Sequence, residues 1–242
     1  MMLALQWVLS ILFVVQMYLM MAVFGIGYLP YAILRREGAL AATHAYARYV
    51  RWSARVMLGL KSELRGEVPA GEVVIAAKHQ SFFDIIIIYS ELPRPRFIMK
   101  KELVYAPFLG WYALRVGCVP VDRGKRGQAI AKLKEDVARG ATEAGQLVIY
   151  PQGTRVAPGD YKPYKVGVGL IYDQLGCPCI PAAANVGLFW PKRSLLRKRG
   201  TAVVELLAPI PPGLPVAEVM ERIEAQVEEG SNRLMAQADI RG

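Results

Sequence analysis

The stretch Val73-Val-Ile-Ala-Ala-Lys-His-Gln-Ser-Phe-Phe-Asp84 joins an apolar run to a compact group of polar side chains. Its first five residues are β-branched or small and apolar, which predicts a short buried strand. His79 and Asp84 follow at once, and a turn leading into a helix can bring that carboxylate back to the imidazole. In α/β sheets, ligands bind where strands end, so we expect a functional site at this point.

Similar apolar runs recur along the chain and alternate with helical segments. Further strands are predicted at residues 117–121, 146–150, 180–186 and 201–207, and helices at residues 128–144, 166–175 and 217–236. Strands that alternate with helices are typical of a sheet covered on both faces. The sequence therefore predicts an α/β fold with a central sheet flanked by helices.

The two histidines of the chain, His44 and His79, are the candidates for an imidazole base near neutral pH. His44 falls in a basic helical segment, whereas His79 follows a predicted strand. Asp84 would accept a hydrogen bond from Nδ1 of His79 and leave Nε2 to take a proton. Ser81 is predicted to be a turn or helix-capping residue rather than a nucleophile. On spacing alone, a structural histidine at position 79 fits equally well.

The N-terminal region is strongly apolar, because residues 1–34 contain no Asp, Glu, Lys or Arg. Residues 3–24 are long enough to cross a bilayer as a helix, although Gln6 and Gln16 interrupt the run. No basic residue precedes the apolar core and the run is long, which disfavours a secretory signal. We expect a membrane anchor that either spans the bilayer or dips into one leaflet.

A second N-terminal helix is predicted at residues 39–60. It carries Arg48, Arg51 and Arg55 on one face, a pattern typical of a helix that lies against anionic head groups. Arg35 and Arg36 precede it, and positive residues favour the cytoplasmic side of a membrane. We therefore expect the protein at the cytoplasmic (inner) membrane, with its catalytic domain on the cytoplasmic side.

The net charge of +10 suits an anionic partner. Nucleic acid is one such partner, but the chain has no helix-turn-helix or zinc-finger spacing, so we expect no nucleic acid. The three cysteines, Cys118, Cys177 and Cys179, are an odd number in a chain of this length, which disfavours a disulfide framework. We interpret them as small buried residues in a reducing setting.

Four blocks of sequence, taken together, resemble the glycerolipid acyltransferases, the family of the 1-acylglycerol-3-phosphate acyltransferases. In chain order they are His79-Gln-Ser-Phe-Phe-Asp84; Lys100-Lys-Glu-Leu103 with Pro107-Phe-Leu-Gly110 and Val121-Asp-Arg123; Tyr150-Pro-Gln-Gly-Thr-Arg155; and Ile180-Pro181. Their order and spacing agree with the family over about residues 73–209. The resemblance implies the mixed-sheet fold of these enzymes for an acyltransferase domain at residues 63–242, preceded by a membrane-associated two-helix segment at residues 1–62.

The resemblance also implies a reaction. An acyl chain would pass from a thioester of acyl carrier protein or coenzyme A to a free hydroxyl of a lysolipid, with no further cofactor and no metal. His79 would be the general base and Asp84 its orienting partner.

The remaining site residues are likewise implied by the resemblance. Lys100 and the backbone N–H groups near Gly153 are the candidate oxyanion donors. The candidate head-group residues are Arg155, Arg123, Thr154 and Gln152, since a guanidinium binds phosphate through two hydrogen bonds.

Two residues depart from the family pattern. Lys78 stands where the family commonly has Asn, and Gln152 stands where the third block normally has Glu. Gln keeps an acceptor oxygen but loses the charge and gains two donors. Two acceptors therefore stay open, namely 1-acylglycerol-3-phosphate and a lyso-aminolipid such as lyso-ornithine lipid.

Two competing hypotheses come from other functional classes. One is a catalytically silent lipid-binding membrane protein that keeps the fold, and the other is a nucleic-acid binder explained by charge alone. The intact His79, Asp84 and Gly153-Thr-Arg155 favour the enzyme.

Overall fold

A computed structural model describes residues 2–121, 131 and 145–238 of the 242. Its helices are α1 (Met2–Gly27), α2 (Leu29–Leu34), α3 (Arg36–Leu58), α4 (Phe83–Glu91), α5 (Leu109–Arg115), α6 (Gly167–Leu175) and α7 (Val216–Ala236). Its strands are β1 (Leu60–Arg65), β2 (Val73–Ala77), β3 (Pro95–Lys100), β4 (Val119–Val121), β5 (Gln146–Ile149), β6 (Cys179–Ala184) and β7 (Gly200–Leu206).

The seven described strands form one sheet in the order β1-β7-β6-β2-β5-β3-β4. Neighbours from β6 to β4 pair in parallel, whereas β7 pairs with β6 in the antiparallel sense and β1 runs parallel to β7. The sheet is therefore mixed, which confirms the expected fold class. Because β2 is the fourth of the seven strands, between β6 and β5, the loop that follows its carboxyl end starts at the centre of the sheet.

Both faces of the sheet are covered, and the side chains of β2 alternate between the two resulting cores. Val73, Ile75 and Ala77 belong to a core shared with α1, α3 and α4. Val74 and Ala76 belong to the opposite core, which α6 and α7 complete. All five side chains are buried, because a central strand has no solvent-facing side. This alternation predicts that Lys78 points toward α7 and His79 toward α4.

Two of the described strands, β1 and β3, were not predicted from the sequence. β1 shows alternating burial, as expected for an edge strand, but its polar residues Lys61, Ser62 and Glu63 conceal it. β3 begins at Pro95, a residue more typical of turns than of strand interiors. The predicted helix at residues 128–144 lies, apart from residue 131, outside the described residues. The predicted boundary at residues 62/63 falls within β1, and the division into two domains stays a prediction.

The two glutamines that interrupt the apolar run of α1 face the protein. Gln6 Nε2 donates to the carbonyls of Leu58 and Arg197, at 3.2 and 2.8 Å. Gln16 Nε2 donates to Ser53 Oγ at 3.3 Å, and its Oε1 accepts from the Tyr49 hydroxyl at 2.5 Å. These bonds fasten α1 along its length to α3 and to the loop after β6.

The outward side of α1 is apolar and exposed. Its exposed large residues are Leu3, Leu5, Trp7, Val8, Ile11, Leu12, Val15, Tyr18, Leu19, Val23 and Ile26. Within the described chain, α1 is the one helix long and apolar enough to cross a bilayer, judged by length and composition. It is therefore a candidate membrane segment.

The basic face of α3 differs from the expectation. Arg48 and Arg55 are exposed, as a helix against head groups requires. Arg51 instead donates to Ser62 Oγ at 2.8 Å and to Ser90 Oγ at 2.6 Å, and also pairs with Glu91. Arg51 therefore holds α3 to the sheet domain rather than to a membrane surface.

Candidate active site

Apart from Arg123, which lies outside the described residues, the predicted site residues lie at or after the carboxyl ends of the parallel strands. His79 follows β2, and residues 150–155 follow β5, the neighbour of β2. Lys100 ends β3, and Asn185 follows β6 on the other side. Because parallel strands present their carboxyl ends at one edge, segments far apart in sequence meet around His79.

The loop between β2 and α4 is held in a single shape. The Lys78 N–H donates to the carbonyl of Ala182 at 2.8 Å, which extends the β2–β6 ladder by one residue. Ser81 Oγ accepts from the Phe83 N–H at 3.1 Å, where α4 begins. Ser81 is fully buried in this turn, as its interpretation as a turn residue requires.

His79 and Asp84 form the hydrogen-bonded pair that the spacing predicts. His79 Nδ1 lies 3.0 Å from Asp84 Oδ1 and 3.2 Å from Oδ2. Asp84 Oδ2 also accepts from the N–H groups of Gln80 and Ser81, at 2.9 and 2.8 Å. Asp84 is fully buried in the first turn of α4, whereas the His79 side chain keeps 14% of its surface exposed. With Nδ1 directed at the carboxylate, Nε2 is the nitrogen left for a substrate.

Tyr150 completes this arrangement, in a role that the sequence did not predict. Its ring stacks on the imidazole of His79, with centroids 3.9 Å apart and an angle of 18° between the planes. Its hydroxyl donates to Asp84 Oδ1 at 3.1 Å. Burial, and then the neighbouring Asp84, raise the pKa of Tyr150 well above its ordinary value of 10. The phenol therefore stays protonated and acts as a donor. The one available signal was its place as first residue of the third block.

The third block forms a turn that is bound to the first. The Gly153 N–H donates to the carbonyl of Tyr150 at 2.9 Å, and Gly153 has a φ of 69°, which favours glycine. The Val156 N–H donates to the carbonyl of His79 at 2.8 Å. Since the N–H of Gly153 is used within the turn, its role as an oxyanion donor stays a prediction.

Gln152 is buried beneath this turn, with 2% of its surface exposed. Its Nε2 donates to the carbonyl of Lys162 at 2.9 Å. Its Oε1 is buried and has no hydrogen-bond partner in the described part of the chain. Such an oxygen is costly to leave unpaired, so Gln152 is not fully satisfied by the residues around it.

Lys78, the other departure from the family pattern, is also buried. Its Nζ lies 2.5 Å from Glu228 Oε1 on α7, and that oxygen accepts from the Tyr164 hydroxyl at 2.9 Å. The side chain of Lys78 is 2% exposed and that of Glu228 is 24% exposed. A buried ion pair thus fastens the residue before His79 to the last helix.

Positive side chains gather beside the turn. Lys192 Nζ donates to Thr154 Oγ1 at 3.3 Å and to the carbonyl of Arg155 at 3.1 Å. Partial desolvation lowers the pKa of Lys192, and the charges of Arg155, Arg193, Lys162 and Lys100 lower it further. The cluster unites the predicted Lys100, Thr154 and Arg155 with three cations that the four blocks do not contain. Arg123 lies outside the described residues.

That the site holds no metal stays a prediction. Among the described residues, no group of three or more His, Cys, Asp or Glu side chains could hold a metal ion. Cys118, Cys177 and Cys179 are all buried, and none of them forms a disulfide.

Comparisons with known proteins show which family this chain resembles. A family model described as "Acyltransferase" matches residues 60–185. The 1-acyl-sn-glycerol-3-phosphate acyltransferase of Pseudomonas aeruginosa is 28% identical over 194 residues, which cover 76% of this chain and 74% of that protein. The Saccharomyces cerevisiae enzyme of the same name is 31% identical over 163 residues, covering 64% of this chain and 54% of the yeast protein.

A solved structure has the same fold. The crystal structure of the 1-acyl-sn-glycerophosphate acyltransferase PlsC from Thermotoga maritima superposes with a TM-score of 0.79. The superposition covers 95% of this chain and 96% of that one, at 22% sequence identity.

Proposed function

The chain belongs to the glycerolipid acyltransferase family, and from that premise we propose that it transfers a fatty acyl chain from a thioester to the free hydroxyl of 1-acylglycerol-3-phosphate. The observation that carries this proposal is the His79–Asp84 pair at the carboxyl edge of the sheet, with Nδ1 bound at 3.0 Å. Two relatives named for this reaction support the choice of acceptor. Phosphatidic acid is the product in this scheme.

In the proposed reaction His79 Nε2 takes the proton of the acceptor hydroxyl while the hydroxyl oxygen attacks the thioester carbonyl carbon. A C–O bond forms, the C–S bond breaks, and the proton passes from Nε2 to the leaving thiolate. Asp84 fixes the imidazole tautomer and stabilises the imidazolium that forms. Tyr150 stacks on the ring and limits its rotation.

The cationic cluster supplies the charge that the scheme needs. Lys100 is proposed to stabilise the oxyanion of the tetrahedral intermediate, together with backbone N–H groups near Gly153. Arg155 and Arg123 are proposed to bind the acceptor phosphate, because guanidinium groups bind phosphate through paired hydrogen bonds. The thioester donor is acyl carrier protein or coenzyme A, and both carry the same phosphopantetheine arm, so an assay with each donor distinguishes them.

A lyso-aminolipid is the second candidate acceptor, and Gln152 is the observation that favours it. Its buried Oε1 lacks a partner among the described residues, and its side chain carries no charge. A neutral side chain at position 152 does not repel a head group that carries its own carboxylate, as the amino-acid head group of such a lipid does. Purified protein should therefore be offered 1-acylglycerol-3-phosphate and lyso-ornithine lipid side by side with one donor. Efficient turnover of the phosphate lipid, and none of the aminolipid, would remove this candidate.

We also propose that α1 binds the protein to the cytoplasmic face of the inner membrane without crossing it. Gln6 near one end of α1 bonds to Arg197, and the carbonyl of Gly25 near the other end accepts from the Tyr112 hydroxyl at 2.7 Å. A helix held to the domain at both ends places its outer apolar face in one leaflet. Replacing Leu12 and Leu19 by Ser should weaken sedimentation with anionic vesicles. Accessibility of residue 2 from the opposite side of sealed vesicles would contradict the arrangement.

The direct test of the reaction is His79→Gln, with His44→Gln as the matched control. Loss of a positioned general base typically lowers a rate by about 10²–10⁴-fold, so kcat should fall by that factor while vesicle binding is kept. The control should keep its activity, since His44 lies on α3 away from the carboxyl edge. Wild-type activity in His79→Gln would refute the mechanism.

A further inference from the structure

The chain between β3 and α5, together with α5 itself, exposes large apolar side chains that the proposed reaction does not use. Residues Lys101–Tyr105 form a 3₁₀ helix, and α5 follows after a short turn. Tyr105 is 80% exposed and Trp111 is 41% exposed. A group of exposed large apolar side chains is typical of an interaction site. We call this group the β3–α5 surface, and its members are Leu103, Tyr105, Leu109, Trp111 and Leu114.

The two helices of the β3–α5 surface form one unit. The Ala106 N–H donates to the carbonyl of Leu103 at 3.2 Å, and the Gly110 N–H donates to the carbonyl of Ala106 at 2.9 Å. Gly110 also lies so close to Val104 that an added Cβ would overlap the Val104 carbonyl oxygen. The exposed side chains of both helices are therefore held in fixed positions relative to one another.

The inward side of α5 is fastened to the C-terminal end of α1. The Tyr112 hydroxyl donates to the carbonyl of Gly25 at 2.7 Å. Gly25 also packs against Phe108, since a Cβ added to Gly25 would lie 2.6 Å from the Phe108 ring carbon Cδ1. Leu109, at the start of α5, lines one cavity with Met21 of α1. The β3–α5 surface therefore adjoins the apolar outer face of α1.

The short helix α2 continues the same surface. Arg115 Nε donates to the carbonyl of Ala32 at 3.0 Å, and Arg115 Nη2 donates to the carbonyl of Ile33 at 2.9 Å. These bonds hold the last turn of α5 against the end of α2. The exposed large apolar residues of α2 are Leu29, Tyr31, Ile33 and Leu34. Thus α1, α2 and the β3–α5 surface present adjoining apolar areas to the outside.

The composition of this area favours a lipid bilayer as its partner. Trp and Tyr are enriched at the membrane–water interface, because each ring has an apolar body and a polar atom for the head-group layer. Positive side chains are in excess in the flanking sequence, which suits anionic head groups. The exposed or partly exposed charged residues there are Arg35, Arg36, Lys100, Lys101 and Arg115, against Glu37 and Glu102.

We propose that the β3–α5 surface is a second membrane contact, which enters the head-group layer of the same leaflet as the outer face of α1. The proposal rests on the proposed binding of α1 to one leaflet and on a lipid as the acceptor. Lys100 ends β3 at the carboxyl edge of the sheet, and the 3₁₀ helix begins at the next residue. Contact at this point places the catalytic edge at the bilayer surface. An acceptor lipid can then offer its hydroxyl while its acyl chain stays in the leaflet.

Vesicle binding of the full chain tests the contact. Trp111→Ser with Leu114→Ser should weaken binding to phosphatidylglycerol vesicles about tenfold, which corresponds to about 1.4 kcal/mol. Val166→Ser with Leu170→Ser is the matched control and should bind within about twofold of wild type. These two exposed residues lie at the start of α6, which covers the face of the sheet opposite to α1. Equal losses in the two double variants would indicate general surface hydrophobicity and overturn the proposal.

A second variant keeps the test valid if the first one is unstable. Should Trp111→Ser with Leu114→Ser lower Tm, Leu103→Ser with Tyr105→Ser removes the other half of the surface without changing α5. It should weaken vesicle binding by a similar factor. Wild-type binding by this variant would overturn the proposal.

Fluorescence locates Trp111 directly. The chain has four tryptophans, and the variant with Trp7→Phe and Trp52→Phe keeps Trp111 and the buried Trp190. Vesicles of brominated phosphatidylglycerol should quench part of the emission of this variant, and the further change Trp111→Phe should remove the quenching. An unquenched Trp111 in protein that is fully bound to vesicles would overturn the proposal.

A second copy of the chain is the alternative occupant of this surface. If the detergent-solubilised wild type sediments as a dimer, and Trp111→Ser with Leu114→Ser as a monomer, the surface is a dimer interface and the membrane assignment is overturned.

A soluble acceptor separates the contact from the proposed reaction. With a short-chain acceptor below its micelle concentration, Trp111→Ser with Leu114→Ser should keep kcat/KM within about twofold of wild type. A larger fall would show that the surface acts on catalysis rather than on membrane binding, and would overturn the proposal. Quenching of Trp111 in a protein that acylates no acceptor would instead refute the proposed reaction and leave the membrane contact in place.

Discussion

Replacing Asp84 by Asn should lower kcat far more than it lowers stability. In the structure the carboxylate accepts four hydrogen bonds, two at each oxygen. The amide oxygen of Asn can keep the two backbone N–H donors from Gln80 and Ser81. The amide nitrogen must then face His79 Nδ1 and the hydroxyl of Tyr150, where the wild-type oxygen accepts from both.

This substitution changes which nitrogen of the His79 imidazole carries the proton. Tyr150 can rotate its hydroxyl and accept from the amide, but His79 can accept only if Nδ1 loses its proton. The proton then resides on Nε2, which can no longer act as a base. We expect kcat to fall by about 10²–10⁴-fold, or about 2.7–5.4 kcal/mol at 1.36 kcal/mol per tenfold. The loss of charge-assisted bonds should cost only about 1–2 kcal/mol of stability, or roughly 2–8 °C in Tm for a chain of this size.

The assay combines steady-state kinetics with a direct measurement of the tautomer. The chain has two histidines, so two imidazoles appear in a ¹⁵N-labelled spectrum, and His44→Gln assigns them. Asp173→Asn, on the exposed side of α6, is the matched control and should behave as wild type. A kcat within about fivefold of wild type for Asp84→Asn, or a loss of activity with the Nδ1-protonated tautomer intact, would refute the orienting role.

Three further predictions concern buried polar groups. Glu228→Gln leaves the Lys78 ammonium buried without its counter-ion and should destabilise the fold by about 1–3 kcal/mol, a value reduced for the partial exposure of Glu228. The double variant Lys78→Met with Glu228→Gln should restore the urea midpoint of unfolding. A midpoint that stays low in the double variant would count against a simple ion pair. Gln152→Glu sets a carboxylate against the carbonyl of Lys162, so it should lower Tm. It should also shift the ratio of kcat/KM values toward the phosphate acceptor over the aminolipid. An unchanged ratio would show that position 152 does not determine specificity. Burial lowers the pKa of His44 below its ordinary 6.5, so on acidification through pH 6.5 the unfolded chain takes up a proton that the folded chain does not, and stability falls. His44→Gln should make the urea midpoint fall less steeply between pH 7 and 5. Equal slopes for the variant and the wild type would contradict this account.

Much of the fold and the centre of the site could be predicted from local pattern. β2 was predicted with its observed bounds, because five consecutive apolar residues at a central strand leave a strong signal. β1 and β3 were missed because an edge strand with polar alternation and a strand that begins with proline lack that signal. The apolar length of α1 was evident, but the inward role of Gln6 and Gln16 was not, since it depends on what α3 presents to them.

By itself, the sequence determined the pair of His79 and Asp84, because Asp84 lies five positions after His79 and one turn joins them. Tertiary structure alone decided the rest, because the partners come from distant elements. Tyr150 meets Asp84 across 66 positions, and Lys78 meets Glu228 across 150.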